Sequence, residues 1–212
     1  MAEQYTYAVA RIRALEVALF SNSTIDQLIA CQNYKQCLQF LEEKGWGDSE
    51  TSGDAEAMLT REEEKIWELV RELSVDMENF DVLSYSKLFH NLKAAIKEVC
   101  TEDGGRKEKD FASLPENMRE AAQEAYDSLL HTGDGQLCDC IIDRAALDAI
   151  YQAGKSAKAE IIRDYAESTV AVADIKIAVR SQKTAKSAEF MRRAMAECDS
   201  IDVERLSRAA LA

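Results

Sequence analysis

Three stretches of this chain set a polar or charged residue two positions ahead of a cation in a helical context. They are Ala10-Arg11-Ile12-Arg13-Ala14-Leu15, His90-Asn91-Leu92-Lys93-Ala94-Ala95-Ile96-Lys97 and Ala173-Asp174-Ile175-Lys176-Ile177-Ala178-Val179-Arg180. Arg11, Asn91 and Asp174 fall 80 and then 83 positions apart. The chemistry on offer is hydrogen bonding and ion pairing rather than bond making. Residues two apart on a helix point to nearly opposite faces. One of each pair can therefore bond inward to a neighbouring bundle while the other meets a partner or solvent. The plainer alternative is that Arg13, Lys93 and Lys176 cover helix packing with their alkyl stems.

Other reactive residues point to no catalytic constellation. His90 sits on a mostly apolar helix and is expected to be a hydrogen-bonded core histidine. His131 lies near a helix C-terminus, where a cation interacts well with the dipole. Asp127 and His131 form a lone spacing, without the facing Glu-x-x-His pairs of a di-metal bundle. Cys31, Cys37, Cys100, Cys138, Cys140 and Cys198 fit no zinc pattern, so reduced, buried thiols are expected. No glycine-rich phosphate loop ending in Lys-Ser or Lys-Thr is present, so the chain is not expected to bind or hydrolyse ATP. Trp46, between two glycines, is either a partner anchor or a loop aromatic folded onto its own bundle.

These residues must be positioned by helices. The chain has 212 residues with one proline, Pro115, and eight glycines, and helix interiors tolerate neither type well. An all-α fold of repeated helical bundles is predicted, since a period near 80 residues reads as one helical unit built more than once. The expected division is a first unit over 1–100 and a second over 101–212, the latter including the start of a third. The formal charge of −13 argues against a nucleic-acid binder, which needs clustered cations. It suits solubility or basic protein partners. No stretch approaches the length of about 20 apolar residues that spans a bilayer, and the first residues lack a signal-peptide pattern. A cytoplasmic protein is expected.

Periodicity predicts helices over about 3–20, a short second helix opened by Ser23-Thr24-Ile25-Asp26, and a third over 33–44 stopping at Gly45. Tyr7, Ile12, Leu15 and Leu19 make the first apolar face, and Cys37, Leu38 and Leu41 face inward on the third helix. Thr60-Arg61-Glu62-Glu63 reads as a capping box ahead of Ile66, Trp67, Leu69, Val70 and Leu73. Further helices are predicted over about 80–99 (Leu88, Leu92, Ala95, Ile96), from Ser113-Leu114-Pro115-Glu116 onward with Met118, Ala121, Ala122, Ala125, Tyr126, Leu129 and Leu130 as a wide buried face, and over 136–152 after Gly133-Asp134-Gly135. A long helix over 156–182 carries Ile161, Ile162, Tyr165, Val172, Ile175 and Val179. Short helices over 187–198 and 201–211 follow, while 101–109 connects two units. The last helix has no glycine stop, which is expected of a chain cut before its natural close.

Taken in order, these phrases resemble one family. Tyr5-Thr6-Tyr7-Ala8-Val9-Ala10-Arg11-Ile12-Arg13-Ala14-Leu15-Glu16 resembles the N-terminal signature of the C subunit of V-type (vacuolar and archaeal) ATPases, which in eukaryotes is the d subunit. Phe89-His90-Asn91-Leu92-Lys93-Ala94-Ala95-Ile96-Lys97 resembles the second signature. The stretch Leu137 to Arg180, with its Asp143-Arg144 and later Asp174-Ile175-Lys176, looks like a degenerate next unit. Asp174 stands where the family usually has Asn. The resemblance implies similar helical bundles arranged as a funnel, with about one more unit than this chain supplies. It implies a non-catalytic subunit joining the central stalk to the membrane rotor ring, peripheral on the complex, for proton or sodium transport. Arg11, Arg13, Glu16, Asn91, Lys93, Asp174 and Lys176 would then be motif residues making partner or inter-bundle contacts. The partners implied are stalk and ring subunits, with no cofactor, metal or small-molecule substrate. The rival readings are an acidic helical adaptor unrelated to ATPases and an enzyme with a site buried between bundles.

Overall fold

Side chains that cap helix ends set most of the observed boundaries. A computed structural model of the chain describes residues 5–73, 80–102, 111 and 114–211. Among them are ten helices and no strand, so the fold is all-α. By internal packing the chain divides into two compact units, Met1–Met77 and Glu78–Ala212.

The first unit holds α1 (Thr6–Glu16), α2 (Asn22–Ile29), α3 (Tyr34–Glu43) and α4 (Ala55–Glu72). Ser21 Oγ accepts from the Thr24 amide and Asn33 Oδ1 from the Gln36 amide, satisfying donors that the first turns of α2 and α3 leave free. Gly45 follows α3 at φ +85°, a left-handed value that glycine adopts without strain. α4 starts earlier than the Thr60 capping box predicts. Asp54 caps it by accepting from the Glu56 and Ala57 amides, which leaves Thr60 inside the helix. Arg61 pairs instead with Asp48 at 3.1 Å and Glu68 at 2.9 Å.

The expected face of α1 is not covered within this unit. Tyr7, Ile12, Leu15 and Leu19 are all exposed, and Ala8 is the buried residue of the helix. Periodicity identifies an apolar stripe but not its cover. On α4, Ile66 is likewise exposed, while Trp67, Leu69 and Val70 are half-buried. Trp46 folds back onto Phe20, their ring centroids 5.2 Å apart.

The second unit holds α5 (Asp81–Glu102), α6 (Glu116–Thr132), α7 (Gly135–Ser156), α8 (Glu160–Lys183), α9 (Ala188–Ala194) and α10 (Val203–Leu211). The helix bearing Asn91 and Lys93 thus goes with this unit, ahead of the boundary expected near residue 100. α7 is central and packs on α5, α6 and α8. Phe89, Leu92, Ile96, Met118, Tyr126 and Ile142 centre one core cluster, and Val82, Ile150 and Val170 a second. On α5, Leu88 and Ala95 lie outside the core that takes Leu92 and Ile96. Gly133, at φ +66°, ends α6, and Asp134 caps α7. The predicted connection over 101–109 lies mostly outside the described residues, with Thr101 and Glu102 closing α5. Ser113 lies outside them too, and Pro115 precedes α6 without a side-chain cap bond.

α8 inverts the expected burial. Ala166, Val170, Asp174, Ala178 and Ser181 face inward, while Ile161, Tyr165, Val172, Ile175 and Val179 are exposed. The cause is close packing of small residues. A Cβ at Gly154 of α7 would lie 2.1 Å from the Ala166 Cβ, an approach that only glycine permits. The thiols also differ from expectation. None of the six forms a disulfide, but Cys138 alone among them is buried and the others are half-buried.

Candidate interaction site

The motif pairs lie on α1, α5 and α8, and in each pair one residue engages a neighbouring segment while the other faces solvent. On α1, Arg11 Nε lies 3.9 Å from Glu72 Oε1 at the end of α4, and Tyr7 donates its hydroxyl to the same oxygen at 3.4 Å. Arg13 is exposed and pairs with Glu16 one turn along at 2.7 Å. Surface pairs of this kind contribute little, about 0.3–0.5 kcal/mol.

On α5 the roles are exchanged. Asn91 is exposed, and Lys93 Nζ reaches Asp143 Oδ1 of α7 at 2.7 Å. Lys97, one turn on, pairs with Asp139 of α7 at 2.6 Å. The Asp139 carboxylate raises the Lys97 pKa above its ordinary value, against the smaller opposing effect of burial. Two such bridges one turn apart accompany the shared core of Phe89, Leu92, Ile96 and Ile142, which sets the rotation of α5 against α7. Sequence reasoning singled out Lys93 but did not pair it with a carboxylate. Asp139 and Asp143 are themselves one turn apart, which is the signal that matches Lys93 and Lys97.

On α8, Asp174 turns inward and Lys176 outward. Asp174 is fully buried, and its Oδ1 accepts from the Ala196 amide at 3.1 Å. Its other oxygen has no hydrogen-bond partner among the described residues. Burial pushes this carboxyl up to about 6; the Ala196 amide opposes that shift, Asp148 adds to it and Arg144 opposes it. The bond anchors the segment after α9 to the middle of α8, where Met195 and Ala196 are buried.

Arg144 and Asp148 belong to the same neighbourhood, and sequence reasoning gave neither a role. Arg144 Nε lies 3.6 Å from Asp148 Oδ2, and the guanidinium also donates to the Arg192 carbonyl at 3.3 Å. Burial raises the Asp148 carboxyl and Arg144 opposes the shift. They line an open cleft of about 640 Å³ together with Tyr85, Glu120, Glu124 and Arg193. Ala121, Ile141, Ala145 and Ala149 line it as well, so the cleft combines apolar surface with both signs of charge.

The remaining candidates are peripheral. His90 is exposed rather than in the core, because the buried side of α5 runs through Phe89, Leu92 and Ile96. His131 Nδ1 lies 2.6 Å from the Asp127 carbonyl oxygen. Among the described residues no three His, Cys, Asp or Glu side chains converge as a metal site. No described helix is long and apolar enough to cross a membrane.

A family model described as ATP synthase (C/AC39) subunit matches residues 8–212. No curated protein and no solved structure gives a significant match to the chain.

Proposed function

The chain belongs to the ATP synthase (C/AC39) subunit family, and from that premise we propose that it is a non-catalytic central-rotor coupling subunit of a V/A-type rotary ATPase. In this role it links the central stalk to the membrane rotor ring, peripheral to the membrane, and carries torque between ATP chemistry and ion movement elsewhere in the complex. The observation that best supports the role is the bracing of the second unit. A body that transmits torque must resist rotation of its helices against one another, and tightly packed interiors transmit strain. Phe89, Leu92 and Ile96 of α5 share one buried core with Ile142 of α7, and the close Gly154–Ala166 approach braces α7 on α8.

In this reading Arg11, Lys93 and Asp174 hold helices in place, and the exposed Arg13, Asn91 and Lys176 meet partner subunits. Glu16 orients Arg13. The acidic surface complements basic residues on stalk or ring loops, which favours rapid, salt-dependent association.

The test is affinity purification of the tagged full chain from membranes of its own source in mild detergent. Stalk and ring subunits of an ATPase are expected to co-elute in fixed proportion, and their absence would overturn the proposal. Within the acidic surface Arg13 and Lys176 are cations that meet acidic partner groups, so Arg13→Glu combined with Lys176→Glu is expected to weaken that recovery, more at low salt than at high salt, where the new repulsion is screened. Unchanged recovery would remove these two residues from the contact.

A further inference from the structure

The bend between α2 and α3 brings two thiols together, and the ATPase reading gives neither a role. Cys31 follows Ala30, the residue that closes α2, and Cys37 lies in the first turn of α3. Cys31 Sγ lies 3.5 Å from the Gln27 carbonyl oxygen, and Cys37 Sγ lies 4.0 Å from the Leu28 carbonyl oxygen. Those carbonyls are consecutive on the last turn of α2, so both sulfurs gather at one spot. The Cys31 thiol also takes Cys37 as a side-chain hydrogen-bond partner. Neither is in a disulfide, and both are half-buried, within reach of a small molecule.

Polar bonds hold the two thiols in place. The Gln32 amide donates to Gln36 Oε1 at 2.8 Å, and the Gln36 amide donates to Asn33 Oδ1 at 3.0 Å. The Cys37 amide donates to the Asn33 carbonyl at 3.1 Å. Burial adds little, since α2 buries no residue and α3 buries Leu38. A corner held this lightly opens at low cost, so a covalent clamp across it would change its behaviour strongly.

We propose that Cys31 and Cys37 are a redox pair, which a peroxide closes into a disulfide that clamps α2 to α3. Hydrogen peroxide oxidises one thiol to a sulfenic acid; its O–O bond breaks and one oxygen leaves as water. The second sulfur then attacks the first, the S–O bond breaks, and the hydroxyl leaves as water with the second thiol's proton. Two thiols and one peroxide give one disulfide and two waters. A dithiol reverses the step by thiol–disulfide exchange. The bond sets the sulfurs about 2.05 Å apart, so the two side chains rotate to close the remaining gap. Burial raises the Cys31 pKa above its ordinary value, and the hydrogen bond and charge of Cys37 add to the shift. The thiolate is the reacting form, so closure follows sustained oxidant rather than a brief pulse.

The experiment treats the reduced full chain with hydrogen peroxide, blocks the remaining thiols and digests it with trypsin in the absence of reductant. Lys35 lies between the two cysteines, so trypsin leaves Cys31 in 14–35 and Cys37 in 36–44. Mass spectrometry of the monomeric protein is expected to find these peptides joined. Their absence, or a link found only in covalent dimers, overturns the proposal. Cys31→Ser leaves Cys37 without a resolving thiol, so dimedone should trap several times more sulfenic acid on 36–44 than in the parent. Equal trapping overturns the pairing. Closure is expected to slow amide hydrogen exchange across 22–43 about tenfold, as a cross-link on a lightly held corner should, and dithiothreitol should restore the parent rate. Exchange unchanged by oxidation overturns the clamp.

Discussion

The two units differ in how they are held. Among the described residues the first buries three hydrophobic side chains, Ala8, Leu38 and Met58, and the second buries twenty-one. The first relies on caps and on polar loops, such as Gly47, whose amide donates to Glu62 at 2.8 Å and whose carbonyl accepts from Lys65 at 2.9 Å. The second relies on long helices around α7. Hydrophobic burial is the dominant favourable contribution to folding, whereas exposed ion pairs contribute little. The second unit should therefore be the stable, stiff part of the molecule and the first the part that opens at low cost.

Phe89→Ala tests that contrast hardest. Phe89 is 1% exposed in the main core, and the loss is expected to be about 3–5 kcal/mol by chemical denaturation. A loss below about 1 kcal/mol, the ordinary size of a point-mutant effect, would break the comparison. Gly154→Ala comes next, since its new methyl would sit 2.1 Å from the Ala166 Cβ. Overpacking there is expected to cost about 1–3 kcal/mol. The same change at Gly53, which has open space but φ +84°, should cost less, through backbone strain alone.

Asp174 sharpens the contrast through pH. Its folded pKa of about 6 lies above the ordinary 3.8, so the folded state binds the proton more tightly than the unfolded chain. Its contribution is most favourable below pH 3.8, declines as pH rises to about 6 and is level above that. Asp174→Asn keeps an oxygen for the Ala196 amide and carries no titrating group, so it should remove this decline. A decline of the parent's size persisting in the variant's denaturation midpoint between pH 3.8 and about pH 6 would contradict it. The smallest effect is expected in the first unit. Leu15→Ser on the uncovered face of α1 should change stability by less than about 0.5 kcal/mol.

Much of this architecture was legible in the sequence. Asn33, Gly45, Gly133 and Asp134 mark helix ends by backbone chemistry that acts locally. The α4 start was not legible, because Thr60 with Glu63 satisfies a capping pattern that Asp54 had already made unnecessary. Which face a helix buries was legible for α6, where Met118, Ala122, Ala125 and Tyr126 repeat inward. It was misread for α8, where contact with α7 selects small residues and pushes the larger ones out. The candidate site was legible only as a set of paired polar residues. The spacing showed that their two members diverge, but not that Lys93 would find Asp143 or that Asp174 would be enclosed. Those outcomes depend on neighbouring helices brought together by the fold.

The central claim is that a braced helical body couples ATP chemistry to ion movement. It is tested most directly by measuring ATP hydrolysis and ion uptake together in vesicles carrying the ATPase, with the chain present and with it removed. With the chain removed, ion uptake per ATP is expected to fall towards zero while hydrolysis persists, and adding the chain back should restore the ratio. An unchanged ratio without the chain would contradict the account.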